Sequence, residues 1–140
     1  MDSAPPLTPE QYRALAAFRY QLRRFLAFSS REAEAAGLAP QQYQAMLAIK
    51  AHPGAPISVG ELADQLLVRQ HSAGELVNRM EAAGLVRRAP AAGDARRVAV
   101  LLTEAGEQAL KRLASTHLRE LTQNEGLVAR LLTLLNKSPS

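Results

Sequence analysis

Four arginines stand as two adjacent pairs, Arg87-Arg88 and Arg96-Arg97, on either side of the turn-forming sequence Ala91-Ala92-Gly93-Asp94. A guanidinium is a planar fork of donors that suits phosphate oxygens, and arginine is favoured in narrow, electronegative minor grooves. Upstream, His71, Ser72, Glu75, Asn78, Arg79 and Ala82 recur on one side of a helical period whose other side is Ala73, Leu76, Val77 and Met80. A helix face carrying such a mixture of donors and acceptors can read base edges in a major groove. Other chemistry is poorly served. There is no cysteine, which excludes disulfides, Cys-based zinc sites, thiol nucleophiles and thiol redox sensing. His52, His71 and His117 have no metal-ligand spacing. No phosphate-cradling glycine loop, Ser-His-Asp arrangement or recognisable acid pair is present, so neither an enzyme nor a cofactor is expected.

The elements that must hold these residues are legible from caps and periodicity. Thr8-Pro9-Glu10-Gln11 reads as a helix start with a capping box, and Leu15, Phe18, Leu22, Phe25 and Leu26 follow at helical spacing until Gly37. Pro40 opens a second helix through Tyr43, Met46, Leu47 and Ile49, broken at His52-Pro53-Gly54. Ser58-Val59-Gly60-Glu61 is a second capping box, starting a short helix with Leu62, Ala63, Leu66 and Leu67 on its buried side. After a turn near Val68, a helix from about Gln70 to Ala83 ends at Gly84, a natural left-handed residue. The period then becomes extended: Leu85–Arg88 and Arg97–Leu102 are expected strands of a hairpin. Thr103 caps a further helix through Ala109, Leu110, Leu113, Leu118 and Leu121, and a last apolar helix spans Leu127 to Leu135.

A length of 140 residues with 47% hydrophobic and 4% aromatic residues fits one helix-rich domain. The net charge is +4, and only Lys50, Lys111 and Lys137 among the basic residues are lysines. That balance is compatible with a polyanionic partner but does not by itself specify one. No apolar run reaches the roughly 20 residues that span a bilayer. The N-terminus is polar and Pro-rich, so a cytoplasmic protein is expected.

Two short helices, a tight turn and a two-stranded hairpin form the order of a winged helix-turn-helix. Five pieces carry a closer likeness: Ser58-Val59-Gly60-Glu61-Leu62-Ala63, Leu76-Val77-Asn78-Arg79-Met80-Glu81, Gly84-Leu85-Val86-Arg87-Arg88, Asp94-Ala95-Arg96-Arg97 and Leu102-Thr103-Glu104-Ala105-Gly106. In this order and spacing they resemble the MarR family of transcription regulators. The resemblance implies a mainly α fold with a small β-hairpin wing, residues 40–102 forming a DNA-binding lobe and residues 8–37 with 103–136 a helical dimerisation region. It further implies a homodimer reading a pseudo-palindromic operator in duplex DNA, acting as a repressor. The implied DNA-binding residues are Arg69, Gln70, His71, Ser72, Glu75, Asn78, Arg79, Arg88, Asp94, Arg96 and Arg97, with Asp94 orienting an arginine and Arg96 entering the minor groove. MarR-like proteins also commonly bind small aromatic acids, which release the DNA; here Tyr20, Arg24, Phe28 and Tyr43 are the candidate ligand residues.

The recognition helix departs from the family pattern. His71-Ser72-Ala73-Gly74-Glu75 stands where Ser and Thr followed by a basic residue are usual. Glu75 can accept a bond from cytosine N4, or it can simply repel phosphate. Gly74 costs helix stability of roughly 1 kcal/mol and is expected to permit a close approach to DNA or to a neighbouring helix. A different class of function therefore stays open: a winged-helix protein-interaction module with little specific DNA binding. From Ser58 to Leu102 the six arginines are nearly balanced by five acidic residues. Arg13, Arg19, Arg112 and Arg119 read as solvated surface, His52 as a loop residue and His117 as a packed or interface histidine.

Overall fold

A computed structural model describes residues 3–91 and 93–124, together with positions 129, 132, 133 and 136; of Asp94 and Ala95 it describes the backbone alone. Among these residues five helices and one antiparallel hairpin follow in the order α1 (Pro9–Ala35), α2 (Pro40–Ala51), α3 (Val59–Leu66), α4 (Gln70–Ala82), β1 (Val86–Ala91), β2 (Asp94–Leu102) and α5 (Glu104–Gln123). The expected last helix falls mostly outside the described residues. The chain divides into two compact units, residues 30–116 and residues 1–29 with 117–140, so α1 and α5 each contribute to both.

Local signals set the helix ends. The Thr8 N–H donates to Gln11 Oε1 at 2.9 Å while the Gln11 N–H donates to Thr8 Oγ1 at 3.1 Å. Ser58 and Glu61 exchange the same pair of bonds, both at 3.1 Å. Each box satisfies first-turn donors that have no acceptor within the helix. Gly84, at φ +76°, turns the chain out of α4; the Leu85 N–H donates back to the Met80 carbonyl at 3.0 Å. Thr103 closes the hairpin onto α5: its N–H donates to the Leu85 carbonyl at 3.0 Å, and its hydroxyl accepts from the Gly106 N–H at 3.1 Å.

In the unit of residues 30–116 the core gathers Met46 from α2, Ile57, Leu62 from α3, Val77 and Met80 from α4, and Val86 and Val100 from the hairpin, all essentially sealed from solvent. The hairpin pairs Val86 with Leu102 through Pro90 with Val98, and the register shifts between Pro90 and Ala91. Both strands extend further toward the tip than expected, because Ala89-Pro90-Ala91 carries no strand signal of its own and is held by pairing with β2. Pro90 is tolerated where the ladder is interrupted. Ile57 and Ser58 also join the hairpin: the Ile57 carbonyl accepts from the Val100 N–H at 2.9 Å, and Ser58 bridges Ala99.

One residue differs from expectation. Leu67 does not line the buried side of α3 but caps it in the left-handed conformation, φ 58°, and is 92% exposed. The tight turn into α4 demands that backbone angle, and the angle swings the side chain outward.

In the other unit, Ala14 is buried, and His117 is 4% exposed with Nε2 2.7 Å from Ser29 Oγ. The rings of Phe25 and Phe28 meet the imidazole edge-on at 5.8 and 5.5 Å. Leu15, Leu22 and Leu26 on α1 and Leu118 and Leu121 on α5 remain exposed in the single chain. No helix of the described residues is long and apolar enough to cross a membrane.

Candidate nucleic-acid interface

Helix α4 is amphipathic in the way that a reading helix requires. Ala73, Leu76, Val77 and Met80 are buried, while Gln70, His71, Ser72, Glu75, Asn78 and Arg79 are exposed, with Arg69 exposed at the N-cap. Burial of one stripe fixes the rotation of the helix about its axis, and so fixes which side chains point outward. Within the exposed face, His71 Nε2 lies 3.2 Å from Glu75 Oε1, one turn apart. Gly74 has open space beside it: beyond its own helix backbone and chain neighbours, a Cβ there would meet nothing within 4 Å. The close approach that Gly74 permits is therefore not to a neighbouring helix of the described chain.

Arg88 and Arg97 of the wing are tied into the protein, a role the sequence did not suggest. Arg88 bridges β1 to α4. Its Nη1 donates to Glu81 Oε1 at 3.0 Å, its backbone N–H to Glu81 Oε2 at 3.3 Å, and its Nη2 to the Gly74 carbonyl at 3.2 Å. Arg97 bridges β2 to α3, its Nη2 donating to Ser58 Oγ and Glu61 Oε1, each at 3.0 Å. Arg87 and Arg96 are exposed. The Asp94 side chain lies outside the described atoms, so its pairing with an arginine is not part of the observed geometry.

Glu61 is the hub of this arrangement. Besides the Ser58 N–H and Arg97 it meets His52, whose Nε2 lies 3.2 Å from Glu61 Oε2 and whose Nδ1 lies 2.9 Å from the Ala55 carbonyl. The hydrogen bond from the Ser58 backbone, then the Ser58 side-chain bond, and after them the charge and hydrogen bond of His52 hold the Glu61 carboxyl below its ordinary value. Sequence reading left His52 in a loop; the motif Ser58-x-x-Glu61 hinted at the cap but not at the further partners. Between the start of α3, the start of α4 and the wing lies a polar groove of about 610 Å³, lined by Ser58, Asp64, Gln70, Arg88, Arg96 and Arg97.

The candidate ligand residues fall in both units. Tyr20 and Arg24 are exposed on α1, with the guanidinium carbon 6.0 Å from the ring centroid, and Phe28 packs on His117. Tyr43 belongs to the unit of residues 30–116, buried in its core, where burial pushes the phenol pKa up. An apolar groove of about 390 Å³ that sequence reading missed lies between α2 and α5, lined by Leu47, Lys50, Leu110, Lys111 and Ala114. Lys50 Nζ there pairs with Glu107 at 3.0 Å. Among the described residues, no group of three or more His, Asp or Glu is placed to hold a metal ion.

The fold and part of the sequence match known proteins. Residues 36–97 match the model of the MarR family. No curated protein matches the chain in sequence. Among solved structures, AbsC, a MarR family transcriptional regulator from Streptomyces coelicolor, superposes with a TM-score of 0.70 at 21% identity, over 86% of this chain and 81% of that one. MepR, a transcription regulator of the Staphylococcus aureus multidrug efflux pump MepA, gives a TM-score of 0.74 at 19% identity, over 85% and 93%. A mutant of S. aureus MepR bound to an oligodeoxyribonucleotide gives 0.67 at 21% identity, over 93% and 97%. With the wing bolted to both helices of a helix-turn-helix and residues 36–97 matching the family model, this segment is similar to the winged helix-turn-helix of the MarR family, and the fold of the chain is that of solved MarR-family structures.

Proposed function

We propose that this protein is a cytoplasmic, sequence-specific DNA-binding repressor that acts as a homodimer. The observation that carries the reading is the coincidence, on α4, of every polar candidate side chain with the exposed face. In this reading α4 lies in a major groove, with Arg69, Gln70, Ser72, Asn78 and Arg79 contacting bases and phosphates, and Arg96 reaches the adjacent minor groove from the wing. The DNA-bound MepR mutant supports the same use of a similar fold. The exposed leucines of α1 and α5 are the surface a second copy would cover, since apolar area of this kind is stabilised by removal from water. A twofold dimer then reads two half-sites of a pseudo-palindrome.

Selection from a randomised duplex pool at two salt concentrations tests the reading. An enriched pseudo-palindrome is the expected result, its half-site spacing reporting the dimer. Weak, steeply salt-dependent binding without enrichment would leave only backbone electrostatics and favour the protein-interaction module. Release by a small aromatic acid is the finer part of the proposal. Arg24 and Tyr20 bring a cation and a ring side by side, as a carboxylate-bearing aromatic ligand requires, and Phe28 belongs to the same unit. A panel of aromatic acids that left Tm unchanged would remove this part.

A further inference from the structure

Glu75 is an oddity on a surface meant for a polyanion, and its setting gives it a task. It sits in the middle of the exposed stripe of α4, one turn after His71 and one turn before Arg79. At the flank of a reading helix a carboxylate would meet phosphates and be repelled; in the middle it meets base edges. Its Oε1 lies 3.2 Å from His71 Nε2, which leaves Oε2 for another donor. Gly74 leaves room next to it: beyond its own helix backbone and chain neighbours, a notional Cβ would meet nothing within 4 Å. The Gly74 carbonyl is fixed by Arg88 Nη2 at 3.2 Å, so the turn that presents Glu75 is anchored to the wing.

An ionised carboxylate only accepts hydrogen bonds. In the major groove guanine offers two acceptors, thymine an acceptor and a methyl group, and adenine an acceptor beside its donor. Cytosine alone offers a donor, N4, with no acceptor next to it. Resting on the DNA-binding reading above, we infer that Glu75 selects a cytosine in each half-site and that His71 is the positioning residue that aims it.

The experiment is selection from the same randomised duplex pool with the full-length wild type, Glu75→Gln, Glu75→Ala and His71→Ala. Binding is then measured on duplexes differing only at the affected base pair. The wild type is expected to prefer C there by roughly tenfold or more. Glu75→Gln should move the preference at that position to A, whose N6 and N7 a carboxamide can pair. Glu75→Ala should erase it, and His71→Ala should blunt it there and nowhere else. All three substitutions are on the exposed face, and an unchanged melting curve checks that each variant is folded. An identical motif for wild type and both Glu75 variants overturns the inference while leaving the DNA-binding reading intact. So does a Glu75→Gln variant that binds all duplexes uniformly more tightly, which would mark Glu75 as mere repulsion. A wild type that enriches no motif overturns the DNA-binding reading and this inference with it.

Discussion

Arg97 Nη2 stands 3.0 Å from Ser58 Oγ, so the residue that caps α3 also receives the second strand of the wing. The Ser58 hydroxyl accepts from the Glu61 N–H as well, which makes one oxygen the junction of a helix start and a hairpin.

Replacing Arg97 by Ala should loosen the wing without unfolding the lobe. The Val100 N–H, bonded to the Ile57 carbonyl, reports this directly: its hydrogen exchange should speed up several-fold, while amides of α4 stay protected. Arg97→Lys should not restore protection in full, because both bonds come from Nη2 at the far end of the side chain, a point that the shorter lysine does not reach in the same geometry. Unchanged exchange at Val100 in Arg97→Ala would show that the backbone bridges suffice.

Glu61 predicts a pH dependence. Its folded-state pKa lies below the ordinary 4.5, owing first to the Ser58 backbone bond. A depressed carboxyl contributes stability that is fully present above the unfolded value and is lost as pH falls through the folded one. Thermal melts taken from pH 6 downward should therefore show the wild type losing Tm below about pH 4.5 faster than Glu61→Gln, which has no charge to lose. Parallel curves for the two proteins would contradict the assignment.

Among the described glycines, Gly106 on α5 makes the closest approach to another element. A Cβ at this position would overlap the carbonyl oxygen of Leu85, the same oxygen that accepts from Thr103. Because the obstacle is backbone, it cannot rotate aside. Gly106→Ala should cost about 3 kcal/mol in urea denaturation, the upper end of ordinary overpacking. A variant within a few tenths of wild type would mean that α5 can slide along the hairpin.

Leu67 is strained and gains nothing from burial. A left-handed backbone costs a non-glycine residue roughly 1 to 2 kcal/mol, so Leu67→Gly should stabilise the protein, by about 1 kcal/mol after the extra freedom of glycine in the unfolded chain is counted. If Leu67→Gly instead lowers Tm, the exposed side chain has a partner in solution.

What could be read in the sequence was what neighbours decide. Ser58 and Glu61 announce a helix start three residues apart, and the buried stripe of α4 follows from a period of 3.6. What escaped was set by residues far apart in the chain. His52, Glu61 and Arg97 meet only because α2, α3 and β2 are packed together. The bridge from Ile57 and Ser58 to the hairpin depends on the same packing. Leu67 was misread for a different reason: its apolar character suggested burial, whereas the turn decided its backbone angle. The arginine pairs are recognisable as a group, yet nothing in their spacing marks Arg88 and Arg97 as the braces of the wing.

Arg88 is bonded at once to the Gly74 carbonyl in the first half of α4 and to Glu81 near its end. The helix and the wing are thereby locked like the jaws of a caliper whose gap has been set. For the DNA-binding function proposed above, helix and wing would then approach or leave the duplex as one piece, both jaws engaging together or not at all.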